Sequence, residues 1–213
     1  MSDDDDVATL GELLCARLCH DLAGAVGAVG TGVELLTDEL GSREFADDAV
    51  ALLATSAEAA VHRLKFLRIA LGHGGQSLSC DQLKGLVADF LGPSGDAHDG
   101  VRLIWNDAEP AIWDGGAVKL LLNLILLARD CLSRGGDLIV ESAGSGAEIA
   151  RVTAKGPKAG PAESALALTA HGAGSLGPRG AQGYYTALLA QRIGASVSCE
   201  DSHECVVFVA VKN

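Results

Sequence analysis

The sequence of 213 residues lacks an uninterrupted apolar run of the 18 or so residues that cross a bilayer, and it has little positive charge. It contains 16 Lys and Arg residues against 28 Asp and Glu residues, which gives a formal net charge of −12. This balance argues against a nucleic-acid partner, because phosphates demand clustered basic side chains. Residues 1–6 are acidic where a secretory signal peptide is basic. We therefore expect a cytoplasmic protein with protein partners and no membrane contact.

The six cysteines lack the spacing of a zinc site. Close Cys-x2-Cys pairs are absent, and the nearest approaches are a Cys-x3-Cys-His run at 15–20 and a Cys-x3-His-x-Cys run at 199–205. With 48% hydrophobic residues the chain can bury a core without disulfides. We expect free, mostly buried thiols and no bound metal.

An apolar stripe predicts a first helix from about residue 7 to residue 40. Its members recur at intervals of three and four: Leu18, Leu22, Val26, Val29, Val33, Leu36 and Leu40. This spacing predicts a helix whose stripe faces a core. His20 is two positions from Leu18 and from Leu22, about 200° around a helix of 3.6 residues per turn. We therefore expect an exposed imidazole.

Small residues continue the outward face that carries His20, at Gly24, Gly27 and Thr31. A glycine in an exposed helix interior costs about 1 kcal/mol relative to alanine. One interpretation is that these residues let a partner's helix or loop approach His20 closely. The alternative is a loosely packed or mobile helix.

A second stripe follows a turn predicted at Gly41–Ser42 and ends before the glycine-rich linker at 72–75. It comprises Phe45, Ala49, Leu53, Ser56, Ala60, Leu64, Leu67 and Leu71. Two helices of roughly 30 residues cannot hide both stripes within one hairpin. We therefore predict a homodimer whose two hairpins form a four-helix bundle.

The hairpin geometry predicts which basic residues lie near His20. If the two helices run antiparallel and the turn is near Gly41, the residue as far after the turn as His20 is before it is His62. This places Arg63 near the level of the imidazole. Arg17 is three residues before His20 and is predicted to share its face. The alternative is an ordinary solvated helix surface.

The signals after the linker alternate between helices and strands, which predicts two domains, residues 1–74 and 77–213. Helices are predicted at 81–91, 115–133, 162–171 and 181–193, and strands at 101–105, 137–141, 149–154, 196–200 and 206–211. The Gly- and Pro-rich stretch 156–180 is interpreted as an altered lid. The aromatic side chains of Phe66, Trp105 and Trp113 are expected to pack in the core.

A hairpin with an exposed His-Asp dipeptide followed by this α/β order resembles the dimerisation and ATP-binding halves of sensor histidine kinases. The resemblance implies an α + α/β fold, with a C-terminal α/β sandwich like the kinase ATP-binding domain. In those kinases the second asparagine of Asn-Leu-x-x-Asn-Ala holds Mg²⁺, and the aspartate of Asp-x-Gly-x-Gly reads adenine. Here residues 123–128 read Asn-Leu-Ile-Leu-Leu-Ala, and residues 151–157 contain no carboxylate. A hydrocarbon cannot coordinate a hard cation. The glycine-rich helix start at 180–185 is also degraded, so ATP binding is expected to be lost.

A kinase-like chain that keeps the histidine and loses the nucleotide site resembles histidine phosphotransferases of the ChpT type. The similar segments are Leu-Cys-x-x-Leu-Cys-His-Asp-Leu at 14–22, Val-Gly-Ala at 26–28 and Gly-Val-Glu-Leu-Leu at 32–36. The resemblance implies transfer of a phosphoryl group between the receiver domain of a hybrid histidine kinase and response regulators, including regulators of the bacterial cell cycle.

The resemblance makes His20 the nucleophile that attacks a phosphoaspartate. Asp21 can accept a hydrogen bond from the ring and fix its tautomer, although a plain surface carboxylate is the alternative. Arg17 or Arg63 is expected to stabilise phosphoryl charge. The protein would hold no cofactor of its own, because Mg²⁺ would arrive with the partner receiver domain.

Two other functions remain open from the sequence. An active ATP-dependent histidine kinase predicts labelling by ATP without a partner. A non-catalytic adaptor that binds response regulators predicts that the His20→Ala variant keeps its function.

Overall fold

The structure is a computed structural model that describes residues 3–37, 43–92, 100–106, 112–142 and 147–213. Its helices are α1 (Asp3–Thr37), α2 (Arg43–Leu71), α3 (Cys80–Leu91), α4 (Gly115–Asp130), α5 (Glu163–Leu166) and α6 (Pro178–Arg192). Its strands are β1 (Leu78–Ser79), β2 (Val101–Asn106), β3 (Ile112–Trp113), β4 (Gly136–Ser142), β5 (Glu148–Lys155), β6 (Ala195–Ser202) and β7 (Cys205–Lys212).

Helices α1 and α2 form the predicted antiparallel hairpin. Arg63 of α2 reaches the backbone of Asp21, whereas Leu53, earlier in α2, lies against Gly32, later in α1. Rising residue numbers on one helix therefore meet falling numbers on the other. The turn predicted at Gly41–Ser42 lies outside the described residues.

The inward face of α1 differs from the predicted one. The buried positions of α1 are Leu10, Arg17, Ala25 and Gly32. Of the predicted stripe, three residues are half-buried (Leu18, Leu22, Val29), three are exposed (Val26, Val33, Leu36), and Leu40 lies outside the described residues. The reason is steric: a Cβ added to Gly32 would be 2.6 Å from Leu53 Cγ, so α2 approaches α1 over its small residues. The larger apolar side chains of α1 are left outside this contact.

The stripe of α2 is largely inward as predicted. Ala49, Ser56 and Leu67 are buried, while Leu64 is exposed. The side chain of Phe45 lies outside the described part of the structure. The hairpin therefore buries one face of each helix and leaves apolar residues of both helices uncovered.

The C-terminal part is the predicted α/β unit. Five strands form a sheet in the order β2-β4-β5-β7-β6, in which β2 and β4 are parallel and the other neighbours are antiparallel. Strands β1 and β3 form a separate antiparallel pair that the sequence did not predict. Two-residue strands are too short to show an alternating pattern.

Side-chain caps set the starts of two helices that build this unit. Ser79 and Gln82 form a reciprocal capping box at α3, and Asp114 accepts hydrogen bonds from the first backbone amides of α4. Helix α4 is then buried along almost its whole length. The three aromatic side chains expected to pack are all buried: Phe66, Trp105 and Trp113. The predicted helix at 162–171 is shorter in the structure, with α5 followed by a 3-10 turn at Ala167–Thr169.

The cysteines and α1 bear on two further expectations. All six cysteines are free, but only Cys131 is buried, so the expectation of mostly buried thiols was wrong. Burial raises the pKa of the Cys131 thiol to about 11.

Helix α1 is long and apolar enough to cross a membrane by length and composition alone, with a window of mean hydropathy 1.3. One such helix is weak support for a span, and α1 carries Arg17 and Asp21 in ion pairs with each other and with the α/β unit.

Candidate functional site

The imidazole of His20 projects from α1 into solvent. Its side chain is 71% exposed, and Nδ1 lies 3.3 Å from Oδ1 of Asp21. A carboxylate only accepts hydrogen bonds, so the neutral ring carries its proton on Nδ1 in this contact. The lone pair of Nε2 is then free on the exposed side of the ring. This arrangement confirms the predicted exposure and presents a nucleophilic nitrogen to a partner.

The carboxylate of Asp21 is shared between His20 and a buried arginine. Its Oδ1 faces the imidazole, and its Oδ2 accepts a 2.7 Å hydrogen bond from Nε of Arg17. The Asp21 side chain is only 20% exposed. Oδ2 of Asp21 is therefore fixed by Arg17, while Oδ1 faces the imidazole.

Arg17 is buried, and its guanidinium connects α1 to the α/β unit. Its Nη1 and Nη2 donate to the two carboxylate oxygens of Asp130, at 3.0 and 2.9 Å. Burial disfavours the charged guanidinium, but the hydrogen bonds and charges of Asp130 and Asp21 outweigh it and raise the pKa of Arg17. Arg17 is 4% exposed, so the prediction that it shares the exposed face of His20 was wrong.

Arg63 lies at the level of His20, as the hairpin geometry predicted. Its Nη1 donates to the backbone carbonyl of Asp21 at 3.3 Å. The neighbouring His62 turns instead toward α3, where its Nε2 lies 3.8 Å from Oδ2 of Asp89. Arg63 therefore lies beside His20 and Asp21, whereas the neighbouring His62 does not.

Arg129 adds a further positive charge that the sequence did not predict. Its guanidinium lies over the Phe90 ring at 5.4 Å from the centroid, and Phe90 stacks on Phe66. Burial, followed by the charge of Arg63, lowers the pKa of Arg129 from its ordinary value. Arg17 binds the carboxylate of Asp21 and Arg63 binds its backbone carbonyl, while Arg129 adds a positive charge close enough to interact electrostatically with Arg63 and Asp21.

The three predicted partner-contacting residues line an open strip of α1. Gly24, Gly27 and Thr31 are all exposed. A Cβ added to Gly27 would meet nothing within 4 Å, and one added to Gly24 would meet only Nη1 of Arg63, at 4.0 Å. Packing inside the chain therefore does not require glycine at either position.

The segment 123–128, which resembles the metal-binding motif of kinases, is buried in the protein. The Asn123 amide nitrogen donates to the carbonyls of Ala70 and Lys119, at 2.9 and 2.7 Å, and its oxygen accepts from Gln182. All of its hydrogen-bonding groups are therefore engaged. Leu127 is fully buried at the position where the kinase pattern has its second asparagine.

Asp130 and Ser164 are site residues that sequence reasoning missed. Ser164 Oγ donates to Oδ2 of Asp130 at 2.9 Å and so helps to hold the carboxylate that binds Arg17. The available signal was the charged pair Arg129-Asp130, which ends an otherwise almost wholly apolar helix. Its partner lies 113 residues away in the chain, and no periodic pattern reports such a separation.

An exposed imidazole beside a carboxylate that is itself bound by an arginine, on a hairpin joined to a mixed α/β unit, is the arrangement of a protein that transfers phosphoryl groups. A family model for the histidine phosphotransferase C-terminal domain matches residues 86–204. The chain is 36% identical over 212 residues to the protein phosphotransferase ChpT of Brucella abortus (strain 2308), covering 94% of each chain. It superposes on the 1.7 Å structure of a bacterial phosphotransferase with a TM-score of 0.77 and 32% identity, covering 99% of this chain and 97% of the other.

The chain belongs to the ChpT family of histidine phosphotransferases. It is a phosphorelay phosphotransferase, with an N-terminal helical region and a mixed α/β domain. The family predicted from the His-Asp-Leu run and the domain order is confirmed.

Proposed function

We propose that His20 carries the phosphoryl group between aspartates of receiver domains. The observation that carries this proposal is the 71% exposed imidazole, whose Nδ1 faces Asp21 while Nε2 is free. The Nε2 lone pair attacks the phosphorus of a phosphoaspartate. A P–N bond forms as the P–O bond to the aspartate breaks, and the aspartate leaves as a carboxylate. The reverse step delivers the group to a second aspartate, so no ATP is consumed.

Asp21 and the arginines support this step in different ways. The attack leaves positive charge on the ring, which the Asp21 carboxylate stabilises at 3.3 Å. Arg63 lies beside the site and is half-buried, and we assign it to the equatorial phosphoryl oxygens. Arg17 is committed to two carboxylates, so its effect on the phosphoryl group is exerted through Asp21. Of the two arginines predicted to stabilise the phosphoryl group, Arg63 therefore acts by direct contact and Arg17 acts indirectly, through Asp21.

The receiver domain is the partner that fits His20 and the strip of Gly24, Gly27 and Thr31. The two glycines let a partner's backbone approach the helix beside the imidazole. Asp21 and Asp130, the two carboxylates of the site, are both paired with Arg17 and do not form an open set of oxygen ligands. Mg²⁺ would therefore come with the acidic pocket of the receiver. We place this exchange in the cytoplasm, between a hybrid histidine kinase and response regulators that include regulators of the cell cycle.

The α/β domain is proposed to be a pseudo-ATPase. The engaged amide of Asn123 and the buried Leu127 support this, because neither offers an oxygen to a nucleotide-bound cation. The two other candidate functions, an ATP-dependent kinase and a non-catalytic adaptor, give different results in one experiment.

That experiment incubates the protein separately with a ³²P-phosphorylated receiver domain and with [γ-³²P]ATP, each with Mg²⁺. We expect label to pass from the receiver to the protein and none to be acquired from ATP. Labelling by ATP alone would contradict the pseudo-ATPase proposal. Binding of the receiver without transfer would favour the adaptor.

A homodimer is proposed from the uncovered apolar faces of the hairpin. On α1 these are Val26 and Val33, 58% and 47% exposed, and on α2 they are Val50, Val61 and Leu64. The two faces join, because Leu18 and Leu64 line one apolar groove of about 410 Å³. A second copy with the same surface buries both faces and completes a four-helix bundle.

A Val26→Glu, Val33→Glu double variant is expected to convert the dimer to a monomer, because it places charges on the proposed interface. Multi-angle light scattering gives the mass, and circular dichroism should show unchanged helicity, because both residues are exposed in the protomer. The control is Leu35→Glu, which is 54% exposed but lies about 200° around α1 from Val33. A wild-type protein with the mass of one chain at micromolar concentration would refute the dimer.

A further inference from the structure

A continuous chain of hydrogen bonds joins the phosphotransfer helix to the α/β domain. Ser164 donates to Asp130, Asp130 binds both terminal nitrogens of Arg17, Arg17 Nε donates to Asp21, and Asp21 faces the ring of His20. The hydrogen bonds from Ser164 to Asp21 are between 2.7 and 3.0 Å long, and the distance from Asp21 to the His20 ring is 3.3 Å. We call Asp130, Arg17 and Asp21 the positioning chain.

The positioning chain fixes the orientation of Asp21 rather than only its location. Arg17 presents a planar fork, and each of its terminal nitrogens donates one hydrogen bond to Asp130. Its Nε donates to Oδ2 of Asp21, and Oδ1 of the same carboxylate faces His20. The guanidinium is buried, and the side chains of Asp21 and Asp130 are 20% and 14% exposed. Water therefore competes little with these bonds.

We propose that Asp130 is a positioning residue for phosphotransfer: through Arg17 and Asp21 it holds the His20 ring in the tautomer with Nε2 unprotonated. Asp130 touches neither the ring nor the phosphoryl group. The inference rests on the proposed role of His20 as the phosphoryl carrier. It gives the α/β domain a part in the chemistry that does not depend on nucleotide binding.

The loss of Asp130 should loosen the site without removing any group that contacts the partner. With asparagine at position 130, Arg17 loses one ionic partner and can turn, and Asp21 then exchanges between orientations. The share of rings with the proton on Nε2 rises, and such rings cannot attack through Nε2 until the proton moves. At metal sites, removing the outer hydrogen-bonding partner of a ligand typically lowers affinity or activity about tenfold to a hundredfold, and we expect a fall in the transfer rate near the lower end of that range here.

The test compares Asp130→Asn with Asp137→Asn in the full-length protein. Asp137 is a matched control because it also binds an arginine through two hydrogen bonds, 2.8 and 2.9 Å from Arg102, but on the exposed edge of β2 and β4. For Asp130→Asn we expect the single-turnover transfer rate from a phosphorylated receiver to fall about tenfold, with the receiver concentration at half-maximal rate unchanged within about twofold. Asp137→Asn should transfer like the wild type.

A spectroscopic measurement separates positioning from stability. In ¹⁵N-histidine-labelled protein, the Nδ1 and Nε2 shifts of His20 report the tautomer, and we expect Asp130→Asn to lower the Nδ1–H share while Asp137→Asn leaves it unchanged. Asp130→Glu, which keeps a carboxylate, should recover part of both losses. If Asp130→Asn does not fold, Ser164→Ala, which removes only the 2.9 Å bond to Asp130, should lower the rate and the Nδ1–H share in the same direction.

Two results overturn the inference. Either wild-type transfer by a folded Asp130→Asn variant, or a lowered rate with an unchanged tautomer, would remove the positioning role. The ring measurement does not use the transfer reaction, and the His20→Ala variant tests the carrier separately. Transfer that persists in His20→Ala would refute the proposed function itself, whereas a normal Asp130→Asn beside an inactive His20→Ala would refute only the positioning chain.

Discussion

The His20→Ala variant should lose phosphotransfer, on the order of 10⁴-fold or more, because no other group can form the P–N bond at this position. Its exposed ring makes few contacts within the chain, so the substitution should leave folding intact. The measurement is the appearance of label on the protein after mixing with a ³²P-phosphorylated receiver domain, followed by passage of that label to a second receiver.

His62→Ala is the control for this variant. His62 is on the neighbouring helix near the level of His20, but its side chain is 21% exposed and turned toward Asp89. We expect it to transfer at a rate near that of the wild type. Full labelling of His20→Ala would show that the carrier lies elsewhere. Loss of labelling in both variants would show that the effect is not specific to His20.

The exposure of His20 could be predicted from the sequence even though the packing face of α1 was not. Leu18 and Leu22 are both two positions from His20, so His20 lies on the opposite side of the helix. If the two leucines join a core, His20 therefore faces away from it. That argument holds whether the stripe packs inside the protomer or against a second copy. The periodic pattern reports which residues are apolar, and it does not report which partner covers them.

The packing face of α1 escaped prediction because it is built from small and charged residues. Ala25 and Gly32 allow α2 to approach, and Arg17 is buried between carboxylates. An arginine in a sequence is ordinarily interpreted as exposed, since its burial is favourable only when partners are already in place. Asp21 is four residues away in α1, but Asp130 comes from α4, far along the chain, so a local pattern cannot reveal the burial of Arg17.

The α/β part was predictable to the extent that its elements are long. Strands β4 and β5 and helices α3, α4 and α6 were predicted close to their observed bounds because each spans at least one clear period. The two-residue strands β1 and β3 carry no period and were missed. The same limit applies to the site: Asp21 follows His20 directly and was found, whereas Asp130 is joined to it only by the fold.

The Arg17→Met variant should lower the free energy of unfolding by about 3 kcal/mol, because it leaves Asp21 and Asp130 close together without their shared counter-ion. Arg17 is 4% exposed, so water cannot replace the lost partner fully. Urea unfolding followed by circular dichroism measures the change. Arg102→Met is the matched control: its side chain is 66% exposed in an ion pair with Asp137, and the urea midpoint should stay near that of the wild type.

A second substitution distinguishes stability from positioning in this variant. Adding Asp130→Leu to Arg17→Met removes the second carboxylate, so the like-charge contact disappears and part of the lost stability should return. Phosphotransfer should not return, because Asp21 still lacks the guanidinium that directs Oδ1 toward His20. Recovery of transfer together with stability would mean that Arg17 serves only folding. Recovery of stability alone would mean that a buried ion pair, costly in itself, is kept in this protein because it orients the phosphoryl carrier.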